Sequence, residues 1–345
     1  MKNLFNESPV PARNDCSIRA AEGAWHRSLR RFFNFFIPAF AFYGTRGVGA
    51  ESRHVLRQGD FAVTITVDSA QIAEKFGPRF DRCGAVTSLL YSGVEYVASI
   101  GLADEFGLDG VGALGFTEAG REGEHFIKIG VGELSRYSEN KYIFWVGYPV
   151  RSLFPVTVEA GTEGRSLSVV QVSSAAHGYA YRYRKAYSIE APATLIVSYE
   201  LENTGEKTFT VSHYNHNWLR FADAEPDADY RVSTAFPLPG PPAAGLTITE
   251  GGLGLASETK GAYWAFDGEI APEANRLVVR RGNLALEVTG DFTASRFALW
   301  VGEGGFCPEV FGLPTVEPGA VAKWQRVYRV LTEPTPPGPG GGDSG

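Results

Sequence analysis

Between residues 55 and 333, apolar positions recur mostly with a period of two, in short runs separated by Gly, Pro, Asn and Asp. In Thr194–Leu201 the side chains of Leu195, Val197, Tyr199 and Leu201 fall on one face, with Ser198 and Glu200 on the other. That is the alternation of an antiparallel strand with one face on a core and one in water. The runs 61–67, 126–131, 142–146, 167–172, 284–289, 296–301 and 324–331 read as further strands. The turn Glu202-Asn-Thr-Gly205 joins two of them, leading into 208–212. Almost no stretch keeps a helical period over ten residues, and no repeat of about 20–50 residues is visible, which excludes propellers and solenoids. The proline-rich stretch 237–242 reads as a loop, because the strand pattern is the same on both sides. About fifteen strands without an internal linker predict an all-β protein, one large antiparallel β-sandwich over residues 55–333.

The two ends follow a different pattern. In residues 1–54, Arg27, Arg30 and Arg31 precede the apolar run Phe32 to Tyr43, which is followed by small residues. This is the order of an export signal, and twelve residues interrupted by Asn34 and Pro38 are too few for the roughly 20 of a membrane span. Residues 1–54 are therefore expected to be a leader outside the fold, sending the protein to the periplasm or the medium. The other reading is an amphipathic leader on a cytoplasmic protein. Residues 334–345 form a Pro/Gly tail with nothing to bury.

Composition narrows the function classes. Apolar residues at 44% and charged ones at 21% exclude wholesale disorder. A net charge of −7 argues against nucleic acid as the main partner, since phosphate neutralisation needs a basic surface. Outside the leader only Cys83 and Cys307 remain, as a disulfide or as two buried thiols. Neither a CxxC pair nor an HExxH helix is present, so no metal site and no cofactor are expected.

Chemistry concentrates in Val211-Ser-His213-Tyr-Asn-His216-Asn-Trp218-Leu219. The odd spacing of His213 and His216 sends them to opposite faces of an extended strand, whereas a turn would let them converge. The segment Ala193–Leu219, with its Asn-Thr-Gly hairpin and the run Asn215-His216-Asn217-Trp218-Leu219, resembles the aldose 1-epimerase (galactose mutarotase) family. Phe306-Cys307-Pro308-Glu309 is similar to that family's late Cys-x-Glu segment, and Gly84–Val97 to its opening hairpin. The resemblance spans residues 84–311 and implies a galactose mutarotase-like supersandwich that interconverts sugar anomers. Glu309 would then be the base and His216 the acid.

Two of the family's upstream segments are missing in their usual form, which marks a divergent branch. His125 or Lys128 would stand in for a missing His. Arg79 or Arg82, His213, Trp218 and Asp267 would bind the carbohydrate. Ring opening takes a proton from the C1 hydroxyl and gives one to the ring oxygen, so an acid and a base must act on one bond system. A pyranose held between them would set His216 and Glu309 about 5–8 Å apart. Tyr179, Tyr181 and Tyr183 share one strand face, as a stacking platform or as core. The alternative functions are a non-catalytic carbohydrate-binding sandwich, or a polysaccharide lyase or hydrolase on a related sandwich.

Overall fold

The computed structural model describes residues 51–240, 242–256 and 261–331, which fall in one compact unit. Two large antiparallel sheets dominate it. Central strands of the second sheet alternate buried and less buried side chains, whereas His213–Leu219 and Gly305–Gly312 of the first are buried on both faces; the apolar faces of the two sheets stack on each other.

The first sheet has nine strands. Its path runs from Ser52–Gln58 through Phe61–Val67, Ala85–Tyr91 and Val97–Phe106 to His213–Leu219, then Gly305–Gly312, Ala294–Gly302 and Ala262–Ile270. The second has ten, with Tyr181–Glu190, Thr194–Asn203 and Val321–Leu331 side by side near its middle. A smaller sheet of four strands contains His125–Lys128 and Gly132–Ser135.

The core lies between the large sheets. Of the tyrosine stripe, Tyr181 and Tyr183 are fully buried in it and Tyr179 is half-buried against it, so Tyr181 and Tyr183 are packing and not a surface platform. Residues 142–146 form no strand. Their aromatic rings are needed at irregular spacing, and Tyr142 and Tyr148 stack at 5.3 Å over Phe116 and Phe126 of a separate cluster on the small sheet.

The first strand crosses the expected boundary at residue 54, because Ser52, Arg53 and His54 pair with Val67, Thr66 and Ile65. The rest of the expected leader and the Pro/Gly tail lie outside the described residues. Cys83 and Cys307 are buried free thiols in different clusters. No helix among the described residues is long and apolar enough to cross a membrane.

A short helix shields the first sheet. Ala70–Phe76 starts at Ser69, whose hydroxyl accepts from the Ile72 N–H, and ends at Gly77, whose positive φ of 59° suits glycine. Ile72 and Phe76 pack beside Phe80 and Trp218, covering part of the sheet's outer face.

Candidate active site

Strand register builds the site. His213 pairs with Gly312 and Leu219 with Phe306, so His216, halfway between, stands opposite Glu309. On the other flank Tyr214 pairs with Glu105 and Asn215 with Asp104. Alternation then sorts the side chains. Tyr214, His216, Trp218, Glu105 and Glu309 share the outer face, while His213, Asn215, Asn217 and Asp104 point between the sheets.

On the outer face Nδ1 of His216 lies 3.2 Å from Oε1 of Glu309. Neither atom has an aligned hydrogen bond among the described residues, although His216 is 6% exposed and Glu309 4%. The imidazole lies flat on the Trp218 indole, with centroids 3.6 Å apart and planes 3° from parallel, and it meets Phe80 and Trp300 edge-on. Burial among these rings, helped by the positive charge of Arg79, pushes His216 well below the usual imidazole range. Burial likewise pushes the Glu309 carboxyl well above its usual range; Glu105 adds to the effect, and Arg79, Arg296 and Arg326 oppose it.

Beside the pair sits a charged cluster. The Arg79 Nε donates to Oε2 of Glu105 at 2.8 Å and a terminal nitrogen donates to the Tyr214 hydroxyl at 2.9 Å, which itself donates to Glu105 at 2.5 Å. The guanidinium lies over the rings of Phe80 and Phe144, 4.7 and 4.5 Å from their centroids. Lys128 is fully buried 3.7 Å from Glu105 and donates to the Phe106 carbonyl and, at 2.9 Å, to the Tyr142 hydroxyl. Burial lowers its ammonium to about 8 against the pull of Glu105.

Of the residues expected to bind ligand, Arg79, Lys128 and Trp218 therefore gather around His216 and Glu309. The others do not. Arg82 is engaged with Asp68, and His213 belongs to the inner face. There Trp324 donates to its Nδ1 at 3.2 Å, so the ring proton is on Nε2, 3.0 Å from Asp104. His125 lies on the small sheet against His177, with ring centroids 5.6 Å apart. Asp267 is exposed, 3.8 Å from Arg296. Among the described residues no group of His, Cys, Asp and Glu has the arrangement of a metal site.

The separation of His216 and Glu309 also differs from expectation. Directly opposed side chains on neighbouring strands have Cβ atoms only about 5 Å apart, so a pyranose must approach from above the pair rather than lie between its members. Sequence reasoning missed Glu105 and Tyr214. The signal was the doublet Asp104-Glu105 inside the apolar strand 97–106, since two adjacent carboxylates there must each find a buried partner on its own face.

The architecture is that of the galactose mutarotase-like proteins. A galactose mutarotase-like protein from Clostridium acetobutylicum superposes with a TM-score of 0.52 at 13% identity, over 81% of this chain and 95% of that one. One from Lactobacillus casei gives 0.51 at 13%, over 81% and 100%. A galactose mutarotase related enzyme from Lactobacillus acidophilus gives 0.50 at 10%, over 81% and 98%. No protein-family model and no curated protein matches the sequence. At these identities the likeness concerns the fold.

Proposed function

We propose that this chain is an aldose 1-epimerase-like isomerase that interconverts the anomers of a carbohydrate by acid/base ring opening and reclosure. The observation that carries the reading is the contact of a buried imidazole with a buried carboxyl at 3.2 Å, on the outer face of the first sheet. An acid/base pair is what the chemistry requires: one group takes the C1 hydroxyl proton, the other protonates the ring oxygen, and rotation of the open-chain aldehyde precedes reclosure. The aromatic shell of Trp218, Trp300 and Phe80 gives such a pair a low-dielectric setting in which proton transfers are not dispersed into water. Arg79, Lys128 and Trp218 serve as the supporting residues.

The test is polarimetry on anomerically pure aldoses with the purified chain, compared with Glu309→Gln and His216→Ala. Catalysed relaxation that both variants lose supports the reading, and relaxation that both retain overturns it. A second reading, saturable carbohydrate binding without turnover, is favoured by the absence of a pyranose-sized gap between His216 and Glu309. Calorimetric binding with no acceleration of mutarotation would establish it. Export, suggested by the arginine-plus-apolar order of residues 27–43, completes the proposal and is tested by fractionating cells that express the chain.

A further inference from the structure

We propose that Glu309 enters the reaction as the proton donor and His216 as the proton acceptor, the pair resting as a neutral carboxylic acid beside a neutral imidazole. This assignment rests on the acid/base reading of the site and reverses the roles that the family resemblance implies. It derives from where the two groups stand.

Two buried groups in contact can share one proton as an ion pair or as a neutral pair, and the ion pair is retained only where further hydrogen bonds hold both charges. Those bonds are missing here. His216 has Trp218 flat against one face and the edges of Phe80 and Trp300 around it, with no carboxylate other than Glu309 in an ion pair with it among the described residues. Among the described residues none of the cations near Glu309 makes a hydrogen bond or ion pair with it, although Nε of Arg296 and of Arg326 has no hydrogen-bond partner. Arg79 serves Glu105 and Tyr214, Arg296 serves Asp109 and the Tyr263 hydroxyl, and Arg326 donates to the Val310 carbonyl. An imidazolium at His216 would also be repelled by Arg79, while a carboxylate at Glu309 would lose most from burial, be drawn to Arg79 and be repelled by Glu105.

The contrast with His213 on the same strand is direct. Its partner Asp104 is in contact with the Lys185 ammonium and receives hydrogen bonds from Tyr199 and Asn215 at 3.0 and 3.1 Å, so that carboxylate is held ionised. The directions in which burial pushes Glu309 and His216 agree with the neutral pair.

The step balances without any other reactant. The Glu309 proton passes to the ring oxygen as the bond from C1 to that oxygen breaks. The C1 hydroxyl proton passes to His216 as the carbonyl forms. Reclosure on the opposite face of the aldehyde returns both protons. A pH–rate profile cannot separate the two assignments, because acid plus base carries the same number of protons whichever residue holds it.

Spectroscopy on the sugar-free full-length chain can separate them, and it reads the pair whether or not the protein turns over a sugar. At pH 7, the infrared difference between wild type and Glu309→Gln is expected to show loss of one protonated-carboxyl band. Independently, the His216 ring nitrogens in the NMR spectrum, assigned by their loss in His216→Gln, are expected to be those of a neutral imidazole and to stay so down to pH 5.5. Loss of a carboxylate band instead, or an imidazolium at pH 7, overturns the assignment. Either measurement suffices if one variant fails to fold. Neutral groups together with unaccelerated mutarotation would leave the protonation standing and remove the enzymatic reading.

Discussion

The two faces of the strand His213–Leu219 carry polar clusters of similar composition that treat their hydrogen-bonding capacity differently. On the inner face both ring nitrogens of His213 are occupied, and Asn217 donates to the Pro308 carbonyl at 2.7 Å while accepting from the Tyr328 hydroxyl at 3.1 Å. Lys185 joins Asp104 to Asp81, which also accepts from the Tyr183 hydroxyl at 3.1 Å. On the outer face His216 and Glu309 touch without an aligned hydrogen bond, and Oε1 of Glu105 has none; on the inner face Oδ2 of Asp104, in contact with the Lys185 ammonium, and Oδ1 of Asn215 also lack one, so the difference lies in the two histidines. A buried histidine with both ring nitrogens bonded stabilises one arrangement of a core, whereas an imidazole and a carboxyl in contact without a bond, beside an aromatic shell, keep capacity available to a ligand. A step of one residue along the chain, from Asp104 to Glu105, therefore separates a structural carboxylate from one that supports the candidate site.

That difference predicts opposite responses to mutation. The largest effect is expected on turnover: Glu309→Gln and His216→Ala should each lower kcat/KM by about 10²–10⁴-fold, the usual contribution of a positioned acid or base, while the urea midpoint stays near wild type. A collapse of the midpoint in both would place the pair in the stabilising class instead. Next in size, Lys185→Met should leave two buried carboxylates without their cation and cost about 3–5 kcal/mol, measured by urea denaturation. An unchanged midpoint would mean that the inner network is not holding charge. Smaller again, Tyr214→Phe removes one of the two close donors to Glu105 and should cost about 2 kcal/mol, whereas Tyr199→Phe removes one of several donors to Asp104 and should cost about 1 kcal/mol. Equal losses would erase the distinction between the faces.

How much of this was legible in the sequence depends on whether a feature is local. Period-two alternation gave 61–67 and 194–201 as strands, because a residue's face is set by its own position. The segment 142–146 failed, since its aromatic residues answer to Phe116 and Phe126. The opposite orientations of His213 and His216 are those of the extended strand, one of the two readings that their odd spacing left open. Their partners were not legible, because Glu105 and Glu309 arrive from other strands and Arg79 from the loop after the helix Ala70–Phe76, through register and packing that a single sequence does not display. Arg82 shows the same limit: nothing in Arg79-Phe-Asp81-Arg82 indicates that Arg79 turns to Glu105 while Arg82 turns to Asp68.

The last effect concerns acidity on the inner face and arises from two groups with opposite signs. Burial lowers His213 to about 4, against the pull of Asp104. The unfolded imidazole titrates near 6.5, so between those values the unfolded chain binds a proton that the folded chain refuses, and stability falls as pH drops. Burial raises Asp81 to about 7 in spite of Lys185, with Asp104 adding to the effect, while the unfolded carboxyl titrates near 3.9. In that window the folded chain holds the extra proton, and stability falls as pH rises. The two contributions oppose each other between about pH 4 and pH 6.5. His213→Gln keeps a side chain able to donate to Asp104 but removes one of them. Relative to wild type, its unfolding free energy should rise on acidification from pH 6.5 to 4.5, with a slope of at most about 1.4 kcal/mol per pH unit. Urea midpoints at the two pH values read this directly, and parallel profiles for the two proteins would mean that His213 takes up its proton in the folded state as readily as in the unfolded one.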